Sequence, residues 1–145
     1  MDWSGPLESR SNTQSVRILL ADDNERIRRG VRAILSSKPD CEICGEAADG
    51  RETIRIAREL LPDLILLDVS MPEMDGLQAT PLLRQALPSV KIVIMSQHDP
   101  AHLLPNALEA GANACVDKTS LATDLVAVIS SFDGTKDDNR TAHGD

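Results

Sequence analysis

The sequence predicts an α/β domain: a doubly wound, five-stranded parallel sheet with five helices distributed over both faces. Three observations predict it. Short apolar runs alternate five times with longer amphipathic segments across residues 16–132, the pattern of repeated strand–helix units. The units recur about every 25 residues, enough for a strand, a right-handed crossover helix and two turns. Charged or polar residues close four of the runs: VRILLA leads into Asp22-Asp23, DLILL into Asp68, KIVIM into Ser96 and ACVD into Lys118. In an open parallel sheet the carboxyl ends of the strands share one edge, and sites form there.

The elements follow in order. The first strand, 16–21, precedes a helix over about 24–37, in which Ile27, Val31, Ile34 and Leu35 recur at helical spacing. Cys41–Ala47 is a less apolar strand, which places it nearer an edge. Asp49 with Glu52 three residues on has the form of a capping box. It opens a helix carrying Ile54, Ala57, Leu60 and Leu61, and Pro62 closes it. Asp63–Leu67 is a continuous apolar run, as in a central strand covered on both faces.

The loop VSMPEMDG supplies the turn residues Pro72, Asp75 and Gly76, and a third helix runs to about Ala86. Val90–Met95 is a second buried strand. A fourth helix ends near Ala110, with Gly111 suited to a left-handed cap. Asn113–Asp117 is the fifth strand. The fifth helix runs from about Ser120 to Ser131, with Leu121, Leu125, Val128 and Phe132 on one face. Residues 1–15 and 133–145 are polar, so disordered tails are expected around one domain, 16–132.

Two prolines strain this scheme. Pro81 and Pro105 fall inside the third and fourth helices, where a proline costs about 3 kcal/mol. Pro105 is tolerated if its helix begins only near Leu104. Residues 97–104 are then loop and the fourth helix short or frayed; a harmless kink at the proline is the alternative of equal weight.

Composition narrows the function. Lys and Arg number 15 against 23 Asp and Glu, a net charge of -8. Such a chain is repelled by nucleic acid and by anionic membranes. Trp3 and Phe132 are the only aromatics, too few for a base-stacking platform. No apolar run approaches the roughly 20 residues of a membrane span, and the N-terminus lacks a signal-peptide pattern. A cytoplasmic protein with reduced Cys41, Cys44 and Cys115 is expected. Cys41 and Cys44 form a C-x-x-C, but positions i and i+3 of a strand face opposite ways. No second C-x-x-C completes a zinc site. His98 and His102, at i and i+4, are only a weak zinc signal.

The strand ends carry the chemistry. Asp22 or Asp23 alone would read as a helix cap. Two adjacent acids joined by Asp68 need a compensating cation, because unit charges about 4 Å apart repel by about 4 kcal/mol at moderate dielectric. Mg²⁺ suits them, since it takes one or two carboxylates and phosphate oxygens. Asp68 is then a candidate nucleophile that can form a mixed anhydride with a phosphoryl donor. Lys118 neutralises charge and Ser96 offers a hydroxyl to a phosphoryl oxygen.

Four segments, ILLADDNERIRRGVRAIL, DLILLDVSMPEMDGLQA, VKIVIMSQHD and ALEAGANACVDK, together resemble the receiver domain of two-component response regulators over about residues 16–132. LLADDN, MPEMDG and EAGA are most similar to the branch that often carries a DNA-binding helix-turn-helix. The resemblance implies a flavodoxin-like strand order, 2-1-3-4-5. It implies that Asp68 accepts a phosphoryl group from a histidine kinase or phosphotransfer protein, and that the acyl phosphate is later hydrolysed by the domain itself. By the same resemblance Asp23 and Asp68 ligate Mg²⁺ directly, Asp22 acts largely through water, and the backbone carbonyl of Ser70 completes the protein ligands. Ser96 becomes the switching hydroxyl and Lys118 the phosphate's partner, while Ser70 and His98 border the phosphate and modulate its lifetime.

The chain departs from the family at Cys115, where a Tyr or Phe usually stands. A muted output, or one routed through the fourth helix, is expected. The few polar residues after Phe132 suggest a stand-alone receiver, and the resemblance implies no turnover of an external substrate. Its output would pass to an unidentified downstream protein or a homodimer through the helix 4–strand 5–helix 5 face, where Ala122, Thr123, Val126, Ala127 and Ser130 suit contact. Three alternatives stand beside this: the receiver part of a longer DNA-binding regulator, a degenerate receiver acting as a binding module, and a haloacid-dehalogenase-like phosphatase. The last lacks its second acid, because Ser70 occupies that position.

Overall fold

The computed structural model describes residues 15–97 and 99–142, with side chains described as far as Phe132. The chain runs β1 (Val16–Ala21), α1 (Glu25–Leu35), β2 (Cys41–Ala47), α2 (Gly50–Leu60), β3 (Leu64–Asp68), α3 (Gly76–Ala86), β4 (Lys91–Ser96), α4 (Pro100–Ala110), β5 (Ala114–Asp117) and α5 (Leu121–Ala142). A 3₁₀ turn, Lys118–Ser120, joins β5 to α5. The strands lie in the order β2-β1-β3-β4-β5, and every pair is parallel. This is the five-stranded 2-1-3-4-5 sheet that the sequence led us to expect.

Alternation along the strands builds two cores. Ile18, Leu20, Leu64, Leu66, Val93 and Met95 meet Val31 and Leu35 of α1 and Leu121, Leu125 and Ile129 of α5. Leu19, Ala21, Ile65, Leu67, Ile92 and Ile94 face the other way, toward Ala57, Ala79, Leu83 and Ala107 of α2, α3 and α4. Every residue of β3 is buried, which explains its unbroken apolar run. Each fully buried aliphatic side chain contributes about 1.5–3 kcal/mol.

The edge strand β2 breaks the simple alternation. Its register against β1 slips between Ile18 and Leu19, which pair with Ile43 and Gly45 and leave Cys44 over. Cys41 and Ile43 belong to the α1–α5 core, yet Glu46 also turns to α1, bonding Arg28 and Arg32. Residues 41 and 46 share a side only because the bulge shifts the phase. No disulfide joins Cys41 and Cys44.

Capping chemistry sets the helix starts. Asn24 Oδ1 accepts from the amides of Arg26 and Ile27 at 2.8 and 3.3 Å. Asp49 accepts from Glu52 N at 2.8 Å, but Glu52 Oε1 reaches back to Ala48 N rather than to Asp49. A reciprocal capping box forms instead at α3, between Asp75 and Gln78. Gly111 closes α4 in the left-handed conformation, φ 115°.

Two expectations are corrected. The fourth helix is neither short nor frayed: it starts at Pro100 and holds Pro105 in its interior. Asp99 caps it through Ala101 N at 3.0 Å, and Pro100 occupies the first turn, where a missing N–H costs nothing. Pro105 and Ala101, whose carbonyl loses its usual donor, are both exposed, so water can satisfy that carbonyl. The fifth helix continues past Ser131 to Ala142, since no proline stops it, and it takes in most of the expected C-terminal tail. Of the expected tails, residues 1–14 and 143–145 lie outside the described residues.

Arg84, in the last turn of α3, ties the frame together. Its guanidinium donates to Gly111 O at 3.1 and 2.9 Å, to Val90 O at 2.6 Å, to Pro88 O at 2.9 Å and to Asn113 Oδ1 at 2.9 Å. Asn113 Oδ1 also accepts from Ile92 N, at 2.8 Å. One side chain thus joins the end of α3, the cap of α4 and the starts of β4 and β5.

Candidate functional site

At the carboxyl edge of the sheet, where strand backbones stop pairing, the buried polar residues are Asp22, Asp68 and Ser96. Asp22 follows β1, Asp68 ends β3 and Ser96 ends β4 in register with Asp117. Lys118 follows β5, and its side chain is only 6% exposed. Its Nζ lies 2.8 Å from Asp22 Oδ2 and 2.9 Å from Asp68 Oδ1. Two further contacts are local: Asn24 N donates to Asp22 Oδ1 at 2.8 Å and Ser70 N to Asp68 Oδ1 at 3.1 Å. Asp23 is exposed at the rim.

A crevice of about 170 Å³ opens at this edge, lined by Asp23, Asn24, Asp68, Val69, Ser70, Gln97 and Lys118. A larger groove of about 420 Å³ lies at the opposite edge, but Asp63 and Lys91 are its only charged residues. The floor of the crevice is held by close backbone packing. Val69 N donates to Met95 O at 3.0 Å and Gly76 N to Val69 O at 3.1 Å. A Cβ at Gly76 would overlap the carbonyl of Asp68, so only glycine lets α3 start this close to β3.

The electrostatics are those of crowded acids around one base. Burial pushes the Asp68 carboxyl up to about 6, against the pull of Lys118 and the Ser70 amide, and Asp22 adds to the rise. Burial pulls the Lys118 ammonium down, but its contacts with Asp22 and Asp68 outweigh this and hold it above its ordinary value. Carboxylate oxygens of Asp22, Asp23 and Asp68 all lie within 4.8 Å of one another. Asp22 Oδ2 is fully buried and faces the Lys118 ammonium at 2.8 Å. Three hard oxygen ligands and one ammonium leave negative charge uncompensated, and a small divalent cation fits that donor set.

The structure therefore brings Asp22, Asp23, Asp68, Ser70, Ser96 and Lys118 to one edge. Cys115 lies on β5 opposite Ile94 and packs with the α2–α4 core; burial raises its thiol. His98 lies outside the described residues, and His102 is exposed on α4. Sequence reasoning missed Asn24 and Gln97, which also line the crevice. Each stands one residue beyond a strand-end residue already singled out, Asp23 and Ser96, and that adjacency was the available signal.

Known proteins resemble this chain in sequence and in fold. The family model described as the response regulator receiver domain matches residues 18–130. Response regulator protein VraR of Staphylococcus aureus is 36% identical over 115 residues, covering 79% of this chain and 55% of VraR. The chain thus spans about half the length of the curated relatives it matches. A LuxR-family two-component response regulator from Aurantimonas sp. SI85-9A1 is 34% identical, with a TM-score of 0.76 over 81% of this chain and 84% of that one. The signal receiver domain of the putative response regulator NarL from Mycobacterium tuberculosis is also 34% identical, with a TM-score of 0.75 over 81% of this chain and 95% of that one. With sequence, fold and crevice in agreement, the chain belongs to the response regulator receiver domain family of two-component systems.

Proposed function

We propose that this protein is a phosphorylation-dependent switch whose acceptor is Asp68. The observation that carries the reading is the Lys118 ammonium lodged between Asp22 and Asp68, at 2.8 and 2.9 Å. It stabilises ionised Asp68 despite burial, and a nucleophilic carboxylate must be ionised. An Asp68 oxygen attacks the phosphorus of a kinase phosphohistidine. The P–N bond breaks, its electron pair returns to the imidazole, and an aspartyl-phosphate remains. Lys118 and the Ser96 hydroxyl then face the phosphoryl oxygens. Asp22, Asp23, Asp68 and the Ser70 carbonyl would hold Mg²⁺, which when bound neutralises developing phosphoryl charge.

The working unit is residues 16–132, acting in the cytoplasm where kinase phosphohistidine forms. Water attack on the acyl phosphate resets it, with Ser70 and His98 as the residues that modulate the rate, and no external substrate is turned over. The modified state passes to a downstream protein, or to a second copy, through α4, β5 and α5. Intact mass after incubation with acetyl phosphate and Mg²⁺ tests the reading. Wild type gains one phosphoryl group and Asp68→Ala gains none. An unmodified wild type would leave the degenerate binding-module reading in its place.

A second reading is favoured by relatives that extend well beyond the match, such as VraR with 55% of its length covered. In it the chain is the receiver part of a longer DNA-binding regulator. The reading frame beyond the Asp145 codon distinguishes the two.

A further inference from the structure

Outside the crevice, two arginines and two glutamates close a ring between α1 and β2. Arg28 donates to Glu46 Oε1 at 3.0 Å and to Glu25 Oε1 at 2.6 Å. Arg32 takes the remaining oxygen of each, Glu46 Oε2 at 2.6 Å and Glu25 Oε2 at 3.2 Å. The two arginines differ in one respect. Arg28 Nη1 also donates to the backbone carbonyl of Asp22, while the guanidinium of Arg32 bonds the two glutamates. With its side chain 18% exposed, Arg28 makes this charge-assisted bond in a shielded setting, where such bonds are strong.

That carbonyl belongs to the peptide joining Asp22 to Asp23. Asp22 N donates to Ala47 O at 3.0 Å, and its Oδ1 is held by Asn24 N at 2.8 Å. The Arg28 bond adds the last restraint and fixes the plane of the following peptide. Because a peptide is planar, fixing it sets the Asp23 N–Cα bond. Asn24 N, held on Asp22 Oδ1, restrains the far side of the same residue. The two together limit the direction in which the Asp23 side chain leaves the chain. Asp23 is exposed at the rim, so the backbone must aim its carboxylate toward Asp22 and Asp68.

We infer that Arg28 is a positioning residue for divalent-cation binding, acting through the Asp22 carbonyl and braced by Glu46 on the edge strand. The inference rests on the reading of Asp22, Asp23 and Asp68 as the cation site. It also has a distinctive sign. A positive charge near a cation site opposes the cation, so on charge alone removing Arg28 would tighten binding. Positioning requires that removal weaken it.

The test is a Mg²⁺ titration of the full chain, followed by the amide signals of Asp23, Asn24 and Ser70, with thermal melts alongside. Arg28→Met is expected to weaken Mg²⁺ binding about tenfold, the usual scale when a group that orients a metal ligand is lost. Arg32→Met opens the same ring but keeps the Asp22 contact, and its affinity stays within about twofold of wild type. Arg28→Lys keeps the charge, loses the three-way fork and falls between; if Arg28→Met does not fold, this variant carries the test. Unchanged or tighter binding in the Arg28 variants overturns the inference. So does equal weakening in Arg28→Met and Arg32→Met, because the ring would then act only through general stability. A wild type whose amides show no saturable response to Mg²⁺ removes the cation reading, and this inference with it.

Discussion

The Lys118 ammonium stands 2.9 Å from Asp68 Oδ1, so the carboxylate proposed as acceptor is already paired with a cation. The same ammonium serves Asp22, and its loss would leave two buried acids facing each other. Removing one partner of a buried pair costs about 3–5 kcal/mol. Lys118→Met is therefore expected to lower the urea midpoint sharply in metal-free buffer at pH 8. Mg²⁺ should restore much of the loss by supplying the missing positive charge. Equal midpoints for wild type and variant in EDTA would show that the pair contributes nothing to the fold.

The Asp68 carboxyl gives a pH dependence of defined sign. Its folded value is raised from 3.8 to about 6, burial being the main cause. Between those values the folded state holds a proton that the unfolded state has released, so this group's contribution to stability falls as pH rises through the window. Above the folded value the loss is complete and flat, on the order of 2 kcal/mol once solvent screening at the crevice mouth is allowed for. Asp68→Asn removes the titration. In metal-free urea titrations wild type should lose stability relative to Asp68→Asn as pH climbs from about 4 to 6. Relative stability that climbs over that interval would contradict the assignment.

The reasons some features were legible in the sequence, and others not, are local. β3 could be read as central because all its residues are apolar up to Asp68 and both faces are covered. Asp22, Asp68, Ser96 and Lys118 could be read as a site because each stands at or just after a strand end, where a parallel sheet gathers them. The β2 bulge could not be read, since the slip at Cys44 is defined only against β1. The start of α4 is not legible from Pro105 alone, because what offsets its cost is the exposure of Ala101 and the cap from Asp99. Asn24 and Gln97 were passed over because neutral amides beside charged residues look like ordinary loop residues.

Arg84 joins parts of the chain that no local pattern connects. Its guanidinium bonds are to three backbone carbonyls and an amide oxygen, and burial lowers its pKa. The carbonyl of Gly111 belongs to the C-terminal end of α4, where a cation is favoured by the helix dipole. Arg84→Met should cost about 2–3 kcal/mol, because part-buried acceptors lose their donor. Arg84→Lys should recover less than half of that, since one ammonium cannot reproduce the fork. Chemical denaturation of the two variants checks both values, and full recovery by lysine would show that charge alone is required.

On the proposed reading, Cys115 limits how far the state of Asp68 travels. It stands on β5 beside Ile94 and packs toward the same core as Leu103 of α4, where a thiol fills far less volume than a ring. A ring that changes position would disturb its neighbours along β5, whereas a thiol has little to move. Beryllofluoride with Mg²⁺, standing in for the phosphoryl group on Asp68, should therefore shift amides at the ends of β3 and β4 and along α4. The β5 amides of Ala114, Cys115, Val116 and Asp117 should respond weakly. Cys115→Tyr should enlarge their response while leaving the mass gain from acetyl phosphate unchanged. Large β5 shifts in the wild type, no smaller than in Cys115→Tyr, would show that the strand relays the signal without a ring.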